Sequence, residues 1–92
     1  MRTKGEVRTD LDDIDMKFFN LFSRRLELSR EMAKIKGNNG EQTFDSEREK
    51  SMIEARIRAF PDLDKEEVRG FQKYLCDSGK REQERFREDY DF

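Results

Sequence analysis

Histidine is absent from this chain of 92 residues. That excludes imidazole acid–base catalysis, a Ser/His/Asp triad and a histidine metal site. The single cysteine, Cys76, excludes an internal disulfide and a cysteine-rich zinc site. No apolar run approaches the roughly 20 residues needed to span a bilayer. The N-terminal stretch MRTKGEVRTD lacks the apolar segment of a secretory signal. The expected location is therefore the reducing cytoplasm, away from membranes. Charge of one sign is also missing: 20 basic residues stand against 22 acidic ones, interleaved, for a net charge of −2. There is no basic excess of the kind that non-specific nucleic-acid binding requires. Leu, Ile, Val and Phe together are 20 of the 92 residues, just above the roughly one-fifth below which disorder becomes the default. The length suits one small domain.

Chain breaks are few, and they divide the sequence into three helices. Gly37-Asn38-Asn39-Gly40 is the strongest break, and Pro61 is the second. The first helix is expected over about residues 8–36. Leu11, Ile14, Phe18, Leu21, Leu28, Met32 and Ile35 recur at spacings of three and four, and Phe19, Phe22, Leu26 and Ala33 form a stripe beside them. The two stripes merge into one broad apolar arc. A helix of that length, about 40 Å, is too long for a compact monomer of this mass, so a second copy is expected to cover the arc. The second helix is expected over about 46–60, opened by the capping-box pattern Ser46-x-x-Glu49 and closed by Pro61. The third is expected over about 64–86, opened by Asp64-x-x-Glu67, with Val68, Phe71, Leu75, Ser78, Glu82 and Arg85 in line. Gly70 and Gly79 weaken that helix by about 1 kcal/mol each relative to Ala and suit close backbone approach. Residues 87–92 read as a frayed tail.

The residues that interrupt the apolar stripes carry the functional information. Arg25 occupies a slot in the series 11, 14, 18, 21, 25, 28, where a charge is costly unless paired or facing a ligand. Lys36 lies eleven residues on, about three turns, within about 20° of Arg25 around the helix. Two long cations on one face can hold a small dianion between them. Arg8 lies about 100° away from Arg25 and serves such a pocket more easily from a second copy. Arg48 and Glu49 sit in the first turn of the second helix, and Ser78 with Glu82 forms an i, i+4 pair facing inward on the third. Each residue also has a plain structural explanation. Arg25 can form a buried salt bridge, and Lys36 can answer the helix dipole. Asp45, Ser46 and Glu49 can serve as caps. Ser78 can bond back to its own helix, Cys76 can be a small packed residue, and Arg24 and Arg30 can be solvated.

The joint pattern resembles the all-helical chorismate mutases, whose small three-helix chains form intertwined dimers. Ile14-Asp15 with Leu21-Phe22-Ser23-Arg24-Arg25-Leu26-Glu27-Leu28 is similar to the family's first-helix signature, and Met32-Ala33-Lys34-Ile35-Lys36 to its end. Phe44-Asp45-Ser46-Glu47-Arg48-Glu49 resembles the D-x-x-R-E start of the family's second helix, and Phe71-Gln72 with Asp77-Ser78 its third. The resemblance implies an all-α intertwined homodimeric bundle of single-domain chains with shared active sites. It implies an isomerase that converts chorismate to prephenate in phenylalanine and tyrosine biosynthesis, with no cofactor and no metal. It implies that Arg25, and Arg8 from a second copy, bind the two carboxylates, and that Lys36 donates to the ether oxygen. Glu49 and the backbone around Asp45 would bind the ring hydroxyl. Arg48 would line the pocket, and Ser78 would contact a carboxylate. Bacterial members commonly carry Gln four residues after the third-helix Ser. Here Glu82 stands at that place, as in some fungal members, and would donate only when protonated. Gln83, 100° further round, would need a change of register to replace it.

The implied reaction is pericyclic and needs no proton transfer, so a site without histidine or nucleophile is no objection. It needs the side arm held over the ring and fixed donors facing the ether oxygen. Two rival readings are an isochorismate pyruvate lyase on the same scaffold and a non-catalytic helical dimerisation or regulatory module. Association with another shikimate-pathway enzyme is left open by the sequence.

Overall fold

The computed structural model of the chain describes residues 1–39 and 45–90, the side chains of 37–39 and 87–90 excepted. Within the described residues lie three helices and no strand: α1 (Lys4–Asn39), α2 (Ser46–Ala59) and α3 (Lys65–Tyr90). None of these helices is long and apolar enough to cross a membrane.

α1 starts a turn before the expected residue 8, and the cause is a reciprocal cap. The Glu6 backbone N–H donates to Thr3 Oγ1 at 3.1 Å, and the Thr3 N–H donates to Glu6 Oε1 at 3.2 Å. This satisfies two of the N–H groups that a helix start leaves without partners. At its other end α1 runs through Gly37 to Asn39; one internal glycine costs only about 1 kcal/mol, too little to stop a helix already formed. The cap of α2 is Asp45, whose Oδ1 accepts from the Arg48 N–H at 3.1 Å, so Ser46 becomes the first helical residue. Phe60, forced out of helical geometry by Pro61, ends α2 with φ −125° and ψ 67°. Asp64 caps α3 through the Glu67 N–H at 3.0 Å. α3 remains helical to Tyr90 where a frayed tail was expected, and the last two residues of that tail lie outside the described set.

α3 packs on both α1 and α2, whereas the backbones of α1 and α2 stay apart. The packing is thin. Among the described residues Ala33 is the one fully buried apolar side chain, joined by buried Ser29, Gln72 and Ser78. Phe18 meets Phe71 edge-on at 5.9 Å, and Phe22 lies against Tyr74 at 6.2 Å. Every residue from Met1 to Leu21 is exposed, including Leu11, Ile14, Phe18 and Phe19 of the apolar arc. The radius of gyration is 16.7 Å, against about 12 Å for a compact chain of this length. The N-terminal half of α1 projects from the rest.

Candidate active site

Three helix faces meet around a cavity of about 290 Å³ that is open to solvent. α1 contributes Arg25, Ser29 and Lys36, at the spacing that keeps them on one face. α2 contributes its cap and first turn: Asp45, Arg48 and Glu49. α3 contributes Cys76, Gly79, Lys80 and Gln83, positions three and four apart. The lining holds four cations (Arg25, Lys36, Arg48, Lys80) against two carboxylates (Asp45, Glu49). A concave surface with that balance favours a small anion of about two charges.

Arg25 is anchored across the helix interface: its Nη1 donates to the Leu75 carbonyl of α3 at 2.7 Å. No carboxylate among the described residues pairs with it, so the salt-bridge alternative is not what the fold adopts. Gly79 makes room for this arrangement. A Cβ there would lie 3.1 Å from Ser29 Oγ and 3.3 Å from Arg25 Nη1, so any larger residue would push the guanidinium or the serine aside. Gly70, by contrast, faces open space and serves no close approach. The Ser29 hydroxyl donates to the Arg25 carbonyl at 3.1 Å and so bonds back along its own helix.

Glu49 does not use its side chain as a cap. Its side chain is 12% exposed, and Oε1 accepts from Lys73 Nζ at 3.2 Å. Lys73 also reaches Asp77 at 3.4 Å. The hydrogen bond to Glu49, and after it the one to Asp77, hold the Lys73 ammonium above the ordinary lysine value of 10.5. Glu49 Oε2 is buried with no hydrogen-bond partner among the described residues, and so is Gln83 Oε1. Both atoms belong to residues that line the cavity. Such an atom carries a desolvation cost that a small local movement or a bound group would relieve.

The structure brings Arg25 and Lys36, which their spacing sets on one face, into the lining of one cavity with Asp45, Arg48 and Glu49. It corrects the expectation for α3. Ser78 is buried but does not line the cavity, and Glu82 is turned away from it. Glu82 Oε1 accepts from Arg30 Nη1 of α1 at 2.7 Å, and Oε2 accepts from Arg85 Nη1 at 3.3 Å. The physical reason is rotation. Gly79 seats α3 against Ser29 and Arg25, and that seat turns the 76-79-80-83 face to the cavity and the 78-82 face to α1. Arg30, expected to be solvated, is thereby an interhelical partner, and Cys76 is a cavity wall. Arg8 lies on the projecting half of α1, about 25 Å along the helix from Arg25, and takes no part in this chain's own cavity. Sequence reasoning also missed Lys80 and Lys73; in a helix this rich in charge no pattern sets them apart.

Residues 7–84 match the family model of chorismate mutase type II. The match spans most of the chain, and this chain belongs to that family. A relative, the T-protein of Haemophilus influenzae, is 34% identical over 56 residues, which cover 61% of this chain. The matched stretch is 15% of the relative's own length, so the chain resembles one part of a much longer protein. No solved structure matches the chain.

Proposed function

We propose that this chain rearranges chorismate to prephenate, the step that opens phenylalanine and tyrosine biosynthesis, in the cytoplasm and without a cofactor. The observation that carries the reading is the cavity with a net excess of two positive charges among its lining residues and no histidine. Its charge suits a dicarboxylate, and the reaction needs orientation and electrostatic stabilisation only. Arg25 binds one carboxylate through its guanidinium fork. Lys36 donates to the ether oxygen, which gains charge as the C–O bond breaks. Gln83, and not Glu82, is the second donor to that oxygen. Rotating its amide about the last bond exchanges the unpaired Oε1 for the Nε2 donor, so no protonated carboxylic acid is required. Glu49 and the backbone at Asp45 take the ring hydroxyl, and Arg48 closes the wall.

The functional unit is a dimer in this proposal. The exposed arc Leu11, Ile14, Phe18 needs a cover, and an intertwined second copy brings Arg8 to the open side of the cavity to bind the other carboxylate. The direct test is to add chorismate to the purified chain and follow its loss and the appearance of prephenate. Loss of chorismate with prephenate formed is the expected result, and an unchanged substrate removes the proposal. The lyase reading is separated in the same assay: isochorismate consumed with release of pyruvate, and chorismate untouched, would replace the mutase.

A further inference from the structure

We propose that Lys73, outside the cavity, is the positioning residue that aims Glu49 into it. The inference deepens the mutase reading and rests on it. A glutamate whose side chain is only 12% exposed needs a cationic partner to remain charged at little cost. Lys73 is that partner, and it approaches from the solvent side: its own side chain is 56% exposed. The result is a carboxylate divided by function. Oε1 is tied outward to Lys73 at 3.2 Å, and Oε2 is left buried and unpartnered in a residue of the cavity wall. Fixing one oxygen of a planar group fixes the direction of the other. The pairing with Lys73 therefore restricts where Oε2, the acceptor proposed for the ring hydroxyl, can turn, and the hydroxyl reaches it only as the wall around that atom gives way. Asp77, one helical turn on from Lys73, steadies the ammonium from the other side at 3.4 Å. Without Lys73 the carboxylate is free to swing onto the cations that share its cavity, Arg48 and Lys80 among them. That movement would consume the acceptor and neutralise part of the anion site together.

The experiment compares the wild-type chain with Lys73→Met, which keeps the alkyl stem, and Lys73→Arg, which keeps the charge. Calorimetry measures binding of two bicyclic dicarboxylate mimics of the transition state, one bearing the ring hydroxyl and one with hydrogen in its place. In Lys73→Met the hydroxylated mimic should bind about ten-fold more weakly, the scale of one hydrogen bond to a charged group. The hydroxyl-free mimic should change by less than about two-fold, and Lys73→Arg should restore most of the difference. A merely structural lysine predicts equal losses for both mimics, and that result, or no loss for either, would overturn the role assigned to Lys73. A wild-type chain that binds neither mimic would instead remove the mutase reading itself.

Discussion

The two halves of α1 meet opposite fates. From Leu26 to Lys36 the helix lies against α3 and lends one face to the cavity, with Ser29 and Ala33 buried. From Lys4 to Leu21 the same helix, with the same apolar spacing, is exposed along its whole length. The difference shows that one amphipathic arc can divide its surface: its C-terminal half buries Ser29 and Ala33 against α3 while Leu28, Met32 and Ile35 stay partly open, and its N-terminal half is exposed throughout. It also divides the proposed anion ligands: Arg25 and Lys36 fall in or beside the packed half, and Arg8 falls in the projecting one.

The packed half is tested most severely by Lys36→Ala. Loss of a donor to charge that develops in the transition state should lower kcat about a hundred- to a thousand-fold, with a much smaller rise in KM. Steady-state kinetics on chorismate decide it, and an unchanged kcat would take Lys36 out of the chemistry. The projecting half is tested by mixing. Arg8→Ala and Arg25→Ala chains should each be nearly inactive. An equimolar mixture should recover about a quarter of wild-type activity, because half the dimers are hybrids and each hybrid holds one intact site. No recovery, with subunit exchange confirmed by mass spectrometry, would break the division of labour between the halves.

The third comparison is between neighbours on α3. Gln83→Ala should lower kcat about ten-fold or more. Glu82→Gln should leave activity within about two-fold, and should lower the melting temperature by a few degrees through its weakened pairing with Arg30 and Arg85. The reverse ranking would restore Glu82 to the site. The smallest effect concerns pH. Because Lys73 is raised above 10.5 in the folded chain, its contribution to stability is fully present below that value. It is lost as pH rises through the raised value. Thermal unfolding followed across that alkaline range should show a decline in the wild type that is shallower in Lys73→Met.

Much of this was legible in the sequence. The Asp64 cap, the Pro61 break and the stripe joining Arg25 to Lys36 follow from local chemistry and from 3.6-residue geometry, whereas at α2 the S-x-x-E pattern pointed to Ser46 and the cap is Asp45, one residue earlier. The reciprocal cap at Thr3 and Glu6 also stands in the sequence as T-x-x-E, though the apolar periodicity begins only further along. The face of α3 was not legible. Periodicity orders residues around one helix, but it does not say how that helix is turned against its neighbour. That turn is set by the missing side chain at Gly79 and by the Arg30–Glu82 ion pair, both of them contacts between segments some fifty residues apart. Lys73 was hidden for a related reason: its partner, Glu49, is on another helix.

The seat at Gly79 has a consequence for how such a site can diversify. An amide and an acid stand side by side at 83 and 82, and which of them faces the cavity depends on their count from the glycine. One extra residue inserted directly after Gly79 would carry Glu82 into the slot now held by Gln83, exchanging a neutral donor for an acid without altering any existing side chain. On the proposed reading, two versions of the site's chemistry stand in adjacent letters, and a change in spacing alone would select between them.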